Sequence, residues 1–348
     1  MIDYVNPNRG AKVANDTVAM NDDAGKLNEL FGAGTSSVAG WTYRTTFGQV
    51  KYVPAGAGLY HVKPSAAVVS LLGQPTCPSS VLNAESKEAS SFLAARHVSY
   101  QRMVVFSSVA GCGSLGRGGG GKAWVGLYSG RNFSPTGESV TPSTGATDNT
   151  TEADADVAPR SADSTLVHEL GHAYGFPHPP YIVWPNGTDP GASAETGSII
   201  GATPMSYDLR AGTKVGYDSP ELTAIGVIPN SWQQNVTANG TYAVQPLFAS
   251  TLMKGPRVIH IDSGSQHFMI ECRLPETRGD SYFATNQYGG LRMYVKSDVS
   301  GQKTSPWRSL LAGNGQGPTA YIPVGTVFHS GPVTIKINDQ SHFTVSGL

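Results

Sequence analysis

The stretch that decides the fold is residues 168–178, which read HELGHAYGFPH. On a helix, positions i and i+4 lie on one face, so His168 and His172 can reach the same metal ion. Gly175 stands where such a helix should end, because a glycine accepts the left-handed conformation that turns the chain. The turn would return His178 as a third ligand. The stretch therefore predicts a helix and a turn that place three imidazoles around one Zn²⁺ ion.

The spacing of this motif also predicts the chemistry of the site. Three neutral nitrogen ligands leave one coordination position open for water, and zinc lowers the pKa of that water towards about 7. Glu169 would lie beside the metal, take the proton of the attacking water and deliver it to the leaving amine. A chance match and a structural zinc are the alternatives. Structural zinc sites normally have four protein ligands, often cysteines, and no cysteine lies nearby in the sequence.

A methionine and a tyrosine follow the motif. Met205 stands in residues 203–207, which read TPMSY, and Tyr207 lies two positions after it. With the extended histidine motif, these residues resemble the metzincin clan of zinc peptidases, whose members share a methionine turn beneath the metal. As in astacins and serralysins, the resemblance implies that Tyr207 binds zinc in the resting enzyme and then stabilises the oxyanion. A tyrosine that only packs is the alternative.

Four stretches spread over most of the chain look closest to the gametolysin-like peptidases within that clan. They are residues 46–50 (TFGQV), residues 102–113 (RMVVFSSVAGCG), the motif itself and residues 268–273 (FMIECR). Only the motif is specific by itself. The resemblance implies a zinc endopeptidase, with an extended peptide substrate lying along the edge strand of a mixed sheet.

The expected fold class is α+β. Residues 1–228 would form a metzincin-type catalytic domain with a twisted mixed sheet, an active-site helix and a Met-turn. Its upper part would reach to about residue 178, and its lower part would cover 179–228. Residues 229–348 would form a β-sandwich, because short strands alternate there with turns. The predicted strands are 241–247, 257–261, 267–273, 291–295, 320–328 and 333–337.

The segments before the motif predict shorter elements. Residues 42–52 and 58–63 carry aromatic and β-branched residues between glycines, which predicts strands. The alanine-rich stretch 79–97 predicts an amphipathic helix, and residues 102–109 predict a buried strand. Residues 111–121 contain seven glycines, which predicts a loop.

The polar segment 129–162 predicts an exposed loop or a flexible insertion, because it contains few large apolar residues. Within it, Glu152, Asp154 and Asp156 offer hard carboxylate oxygens of the kind that Ca²⁺ prefers. The alternative to a calcium site is a solvated loop that binds no metal ion.

The three cysteines, Cys77, Cys112 and Cys272, permit one disulfide and leave one thiol over. We favour a disulfide between Cys77 and Cys112, because the helix and strand after Cys77 belong to the expected catalytic fold. The alternative is an inhibitory thiolate at Cys77 that plugs the zinc, as in matrix metalloproteinases.

The remaining histidines are scattered without ligand spacing, so we expect them at the surface or in packing contacts. They are His61, His97, His260, His267, His329 and His342.

Composition and charge indicate which partners and which cellular compartment to expect. A formal charge of -1 over 348 residues offers no basic surface for nucleic acid. No apolar run approaches the roughly 20 residues of a membrane span. Only 14% of the residues are charged while 42 are glycine, which favours a secreted protein. Six Asn-x-Ser/Thr triplets would suit glycosylation in a eukaryotic secretory pathway and would carry no meaning in a bacterium. Its partners would be protein or glycoprotein substrates.

A rival function follows from the C-terminal region. The chain would be a zinc-containing adhesion or glycan-binding protein, in which the β-sandwich contacts glycans and the hydrolytic centre is silent. The intact Glu169 counts against this function, since its replacement would be the plainest sign of lost activity.

Overall fold

The computed structural model describes a mixed α+β structure, as the sequence predicts at this level. The residues that it describes are 2–4, 27–28, 31–32, 37–63, 65–72, 79–100, 103–107, 121–123, 128–134, 137–142, 150–154, 180–184, 187–188, 196–198, 216–249, 253–264, 266–274, 289–296, 307–311 and 321–348.

The described helices are few. They are α1 (Val38–Thr45), α2 (Ala66–Leu72), α3 (Ser79–Ala94), α4 (Ser219–Ala224) and a 3₁₀ helix (Asn230–Trp232). None of the described helices is long and apolar enough to cross a membrane.

Strands make up most of the described regular structure. They are β1 (Ile2–Tyr4), β2 (Tyr60–Val62), β3 (Met103–Ser107), β4 (Gly121–Ala123), β5 (Tyr128–Ser134), β6 (Gly137–Pro142), β7 (Thr150–Asp154), β8 (Pro180–Val183), β9 (Thr196–Ser198), β10 (Gln233–Val236), β11 (Gly240–Ala243), β12 (Val258–Ser263), β13 (Gln266–Arg273), β14 (Gly290–Lys296), β15 (Trp307–Leu311), β16 (Val327–Ser330), β17 (Val333–Ile337) and β18 (His342–Ser346).

The N-terminal half contains a five-stranded mixed sheet with strand order β2-β1-β3-β7-β4. The first four of these strands run parallel to their neighbours, and β4 is antiparallel to β7 at one edge. Helix α3 packs on this sheet, because Ala89 and Leu93 share a buried cluster with Val62 of β2 and Met103 of β3. The predictions of a helix at 79–97 and of strands at 58–63 and 102–109 are confirmed.

The predicted strand at 42–52 is wrong, because α1 extends to Thr45 and residues 46–52 form a turn and an irregular segment. The Ser37 hydroxyl caps this helix by accepting a hydrogen bond from the Gly40 N–H at 2.9 Å. Val38, Trp41 and Thr45 are buried at the spacing of one helix face. Burial of that face decides the local structure, and the β propensity of the aromatic and β-branched residues does not.

The prediction of a loop at 129–162 is also wrong where the structure describes this segment. Strands β5 and β6 form an antiparallel hairpin, and β7 lies between β3 and β4 in the mixed sheet. Threonine and valine in these strands, such as Val140 and Thr151, have high β propensity although the segment is polar. Backbone pairing therefore does not require the large apolar residues on which the prediction depended.

The C-terminal half is built on two sheets that share one core. A seven-stranded sheet has the order β10-β12-β13-β14-β15-β8-β9, and a four-stranded antiparallel sheet has the order β11-β18-β17-β16. Apolar side chains from both sheets are buried against each other, for example Phe268 and Met293 from the first and Phe328, Ile335 and Phe343 from the second. The two sheets therefore pack face to face.

The other face of the seven-stranded sheet is covered by segments from earlier in the chain. Trp41 of α1 and Leu222 of α4 share a buried cluster with Val258, Met269 and Tyr294, which belong to β12, β13 and β14. The central strands are therefore buried on both faces, which explains their nearly continuous burial. Residues on both sides of position 229 contribute to this one core.

Candidate metal centre

The residues that the sequence assigns to the zinc site lie outside the part of the chain that the structure describes. These are the ligands His168, His172 and His178, the general base Glu169, the turn methionine Met205 and Tyr207. Cys77 and Cys112, the predicted disulfide partners, also lie outside it. What the structure does describe are the segments that lead into and out of this region of the sequence.

The chain enters the motif from the mixed sheet. Strand β7 ends at Asp154, and its neighbours in the sheet are the parallel strand β3 and the antiparallel edge strand β4. Glu152 and Asp154 of the predicted calcium cluster lie on β7, not in a loop, and Asp156 lies outside the described residues. The calcium site stays a prediction.

The chain leaves the motif into the seven-stranded sheet. Strand β8 begins at Pro180, two positions after His178, and it pairs with β15 in parallel and with β9 in antiparallel register. Trp184, which follows β8, is 0% exposed and contacts the rings of Phe268 and Phe328 edge to face at 5.7 and 6.1 Å. The third predicted ligand is thus followed at once by a firmly anchored strand.

A second anchored segment follows Met205 and Tyr207. From residue 216 the chain runs through the buried Tyr217 into α4, and Tyr217 contacts the ring of Trp41 edge to face at 4.9 Å. The Ser219 N–H donates to the Glu271 carboxylate at 2.8 Å, which ties the start of α4 to β13. The sequence around the predicted Met-turn is therefore bracketed by two segments that are fixed to the same sheet.

Buried charged groups make the second of these attachments. Arg273 donates to Glu271 at 2.7 Å and to Asp218 at 3.2 Å, and its guanidinium also donates to the backbone carbonyls of Gly216 and Tyr217 at 3.1 and 2.7 Å. The side chains of Glu271 and Arg273 are both 0% exposed. One guanidinium therefore holds the chain before α4 against the sheet.

Two further groups complete this set, which we call the buried charge cluster: Asp218, Glu271, Arg273, Arg292 and Tyr294. Arg292 donates to Asp218 at 3.4 Å, and the Tyr294 hydroxyl donates to Glu271 at 2.8 Å. Two carboxylates face two guanidinium groups, so the cluster is neutral when all four are ionised. Such balance is required, because an unpaired buried charge is strongly destabilising.

The pKa values in the cluster reflect burial opposed by charge. Burial, followed by the charge of Glu271, raises the pKa of Asp218 to about 6, although Arg292 and Arg273 act against this shift. Burial also opposes ionisation of Glu271, but the charge and hydrogen bond of Arg273 hold the pKa of Glu271 below its usual value. Burial and the two carboxylates raise the pKa of the Tyr294 hydroxyl well above its ordinary value.

No residue of the buried charge cluster is more than 7% exposed, so its chemistry is structural. Residues 268–273 were among the stretches that resemble the gametolysin-like peptidases, but the ion pair between Glu271 and Arg273 was not predicted. A signal was present, because two opposite charges at alternate positions of an apolar strand must lie on one face and satisfy each other.

A second polar group on the same sheet was also missed. His260 of β12 and His267 of β13 were predicted to lie at the surface or in packing contacts, and Nδ1 of His260 lies 3.2 Å from Nε2 of His267. Nε2 of His260 is 2.9 Å from the Gln233 side-chain oxygen, and Nδ1 of His267 contacts the Asp262 carboxylate. Both rings are half-buried and lie in packing contacts, as predicted, but their mutual contact was not predicted because it depends on the hairpin register.

Within the part of the chain that the structure describes, no group of three or more histidine, cysteine, aspartate or glutamate side chains is arranged to hold a metal ion. Cys272 is buried, and its thiol donates to the Gln340 carbonyl at 3.3 Å.

Comparison with known proteins adds no family assignment. No family model, no curated protein and no solved structure matches this chain.

Proposed function

We propose that this chain is a secreted zinc-dependent endopeptidase of the metzincin type. The single observation that carries the proposal is the motif at residues 168–178. His168, His172 and His178 would hold zinc and leave one position for water. Glu169 would take the proton of that water as it attacks the scissile carbonyl, and would then protonate the leaving amine.

The mixed sheet supports the catalytic part of the proposal. The metzincin resemblance implies a mixed sheet with an edge strand along which the substrate lies, and β4 is an antiparallel edge strand beside β7. A peptide that pairs with such an edge gains main-chain hydrogen bonds without recognition of a chain terminus. This mode of binding favours internal cleavage, so we infer an endopeptidase.

The anchored segments around Met205 and Tyr207 support the lower half of the proposed site. A zinc site needs its ligands held within a few tenths of an ångström, and rigid flanking elements serve that purpose. Strand β8 and the segment from residue 216 to α4 are both fixed to the seven-stranded sheet. In the proposal, Met205 forms the turn beneath the metal and Tyr207 stabilises the oxyanion.

The proposed division is a catalytic domain at 1–228 and a β-sandwich at 229–348. The shared core of residues from both regions gives the second domain a task within the enzyme, because its strands support the segments next to the site. Contact with glycans on the substrate is a further proposed role of this domain.

Substrate class is tested with casein and with one glycoprotein, offered both intact and enzymatically deglycosylated. We expect casein to be cleaved, and cleavage to stop when a chelator removes zinc. Faster cleavage of the intact glycoprotein than of the deglycosylated form would show that the enzyme contacts glycans on its substrate. Tight glycan binding without cleavage of any substrate would instead support the adhesion or glycan-binding function.

A further inference from the structure

The pair His260 and His267 has a proton arrangement that the structure determines. The Gln233 side-chain nitrogen donates to the Ile228 carbonyl at 3.2 Å, so the oxygen of that amide faces Nε2 of His260 at 2.9 Å. An amide oxygen only accepts hydrogen bonds, and Nε2 of His260 must therefore carry the proton. In the neutral ring, Nδ1 of His260 is left with a lone pair.

The same reasoning applies to His267. Its Nδ1 contacts the carboxylate of Asp262, which is 78% exposed, and an ionised carboxylate only accepts hydrogen bonds. Nδ1 of His267 must therefore carry a proton, and Nε2 of the neutral ring is left with a lone pair. When both rings are neutral, the two nitrogens that face each other at 3.2 Å are thus both lone-pair atoms. Such a contact is stabilised only when a cation lies between them.

The distance between the two nitrogens fits a metal ion. Two Zn–N bonds of about 2.0–2.1 Å at a tetrahedral angle place the nitrogens about 3.3 Å apart. The observed separation is 3.2 Å. Metal-binding histidines usually donate their other ring N–H to a carboxylate or a carbonyl oxygen, as His267 does to Asp262 and His260 does to Gln233.

The surroundings also favour a neutral His260, and solvent can reach the pair. Burial, followed by the charge of His267, lowers the pKa of His260 to about 4, while Asp262 acts in the opposite direction. The His267 side chain is 26% exposed, which leaves a path for the ion and for water ligands. Lys296 pairs with His267 on the neighbouring strand β14, and its positive charge repels a metal ion, whereas the Asp262 carboxylate attracts one. The Trp307 ring packs against the pair on another side, with its centre 5.3 Å from that of the His267 ring.

We propose that His260 and His267 form a two-histidine binding site for a divalent transition-metal ion, oriented by Gln233 and Asp262. Imidazole ligands suit Zn²⁺, Ni²⁺ and Cu²⁺, and Cu²⁺ binds such sites most tightly. Water completes the coordination. This site shares no residue with the motif at 168–178, and it does not depend on the proposed peptidase activity.

The test uses the full chain with His168→Ala and His172→Ala substitutions, so that the motif cannot contribute. Cu²⁺ is titrated into metal-free protein, and binding is followed by calorimetry and by electron paramagnetic resonance. We expect one bound ion whose spectrum shows two imidazole nitrogens. Asp262→Asn should weaken binding about 10–100-fold, and His267→Gln should weaken it further. A proton competes for the same nitrogens, so the affinity should fall as the pH is lowered.

A matched control is His329→Gln, which removes an exposed histidine on β16 and should leave Cu²⁺ affinity unchanged. Circular dichroism spectra establish that every variant is folded, and the mild Asp262→Asn change provides a second measurement that does not remove a ligand. The proposal is overturned by absence of Cu²⁺ binding, which would leave a shared proton between the rings. Equal affinity in the starting chain, His267→Gln and Asp262→Asn would overturn it too.

Discussion

Replacement of Arg273 by methionine should destabilise the protein severely, because it leaves two carboxylates buried without their main partner. Arg273 is fully buried and makes hydrogen bonds to Glu271, Asp218 and the carbonyls of Gly216 and Tyr217. Removal of one partner from a buried ion pair costs about 3–5 kcal/mol. Since the free energy of unfolding is typically about 5–15 kcal/mol, this loss would be a large part of the total.

The loss should depend on pH in a defined direction. In the parent, Arg273 lowers the pKa of Glu271 and opposes the raised pKa of Asp218. Without Arg273, both carboxyl groups should have higher pKa values in the folded state. A carboxyl with a raised folded pKa contributes stability at low pH that is lost as the pH rises through that value. Arg273→Met should therefore be closer to the parent at about pH 5 than at about pH 8.

The assay is urea unfolding followed by tryptophan fluorescence at both pH values. Arg44→Met, at an exposed arginine of α1, is the matched control and should change stability by about 0.5 kcal/mol or less. A second variant, Asp218→Asn in the Arg273→Met background, should recover part of the loss because it removes one unpaired buried charge. The reasoning is refuted if Arg273→Met and Arg44→Met unfold at the same urea concentration at both pH values.

Two further perturbations test other parts of the structure. Trp184→Ala should lower the free energy of unfolding by about 3–5 kcal/mol, because it leaves a cavity between two sheets. Thermal unfolding measures this loss, and the control Val53→Ala, at an exposed position, should have little effect in the same experiment. His260→Gln should flatten the acid dependence of stability. Since the folded pKa of His260 is lowered to about 4, protonation of this group should lower the parent's free energy of unfolding by about 2 kcal/mol between pH 7 and pH 5. Urea unfolding of parent and variant at the two pH values measures this loss. An equal loss in parent and variant would contradict the prediction.

Strands in the C-terminal half were predictable because their pattern is local. The predicted ranges 241–247, 257–261, 267–273, 291–295, 320–328 and 333–337 each overlap an observed strand. In β13 and β14, which are buried on both faces, β-branched and aromatic residues carry this signal. In β17, alternation of buried and outward-facing residues at a period of two carries it. Strand β18 was missed although Phe343 and Val345 alternate in the same way.

Strand partners were not predictable from such patterns. The parallel pairing of β8 with β15 joins segments far apart in the sequence, and no local feature of residues 180–183 specifies that partner. The same holds for Trp41, whose burial against Tyr217 depends on the packing of α1 over a distant sheet. Helix α1 was missed because its apolar face is recognised only when the surface that buries it is known.

The candidate sites also differ in whether local sequence was enough to predict them. The spacing of the histidines in 168–178 lies within one short stretch, so the sequence alone is enough to propose a metal centre there. The contacts of Glu271 with Tyr294 and of His260 with His267 arise between strands and depend on register. Sequence reasoning placed each of these residues on a strand but could not place their side chains against one another.

The most direct test of the proposed peptidase combines zinc content and cleavage in three variants. Protein passed through a desalting column is analysed for retained zinc and for casein cleavage. We predict that Glu169→Gln retains as much zinc as the parent but loses cleavage, that His168→Ala loses one equivalent of zinc together with cleavage, and that His61→Ala, at an exposed position, changes neither. Unchanged zinc content in His168→Ala, or full cleavage by Glu169→Gln, would contradict the account.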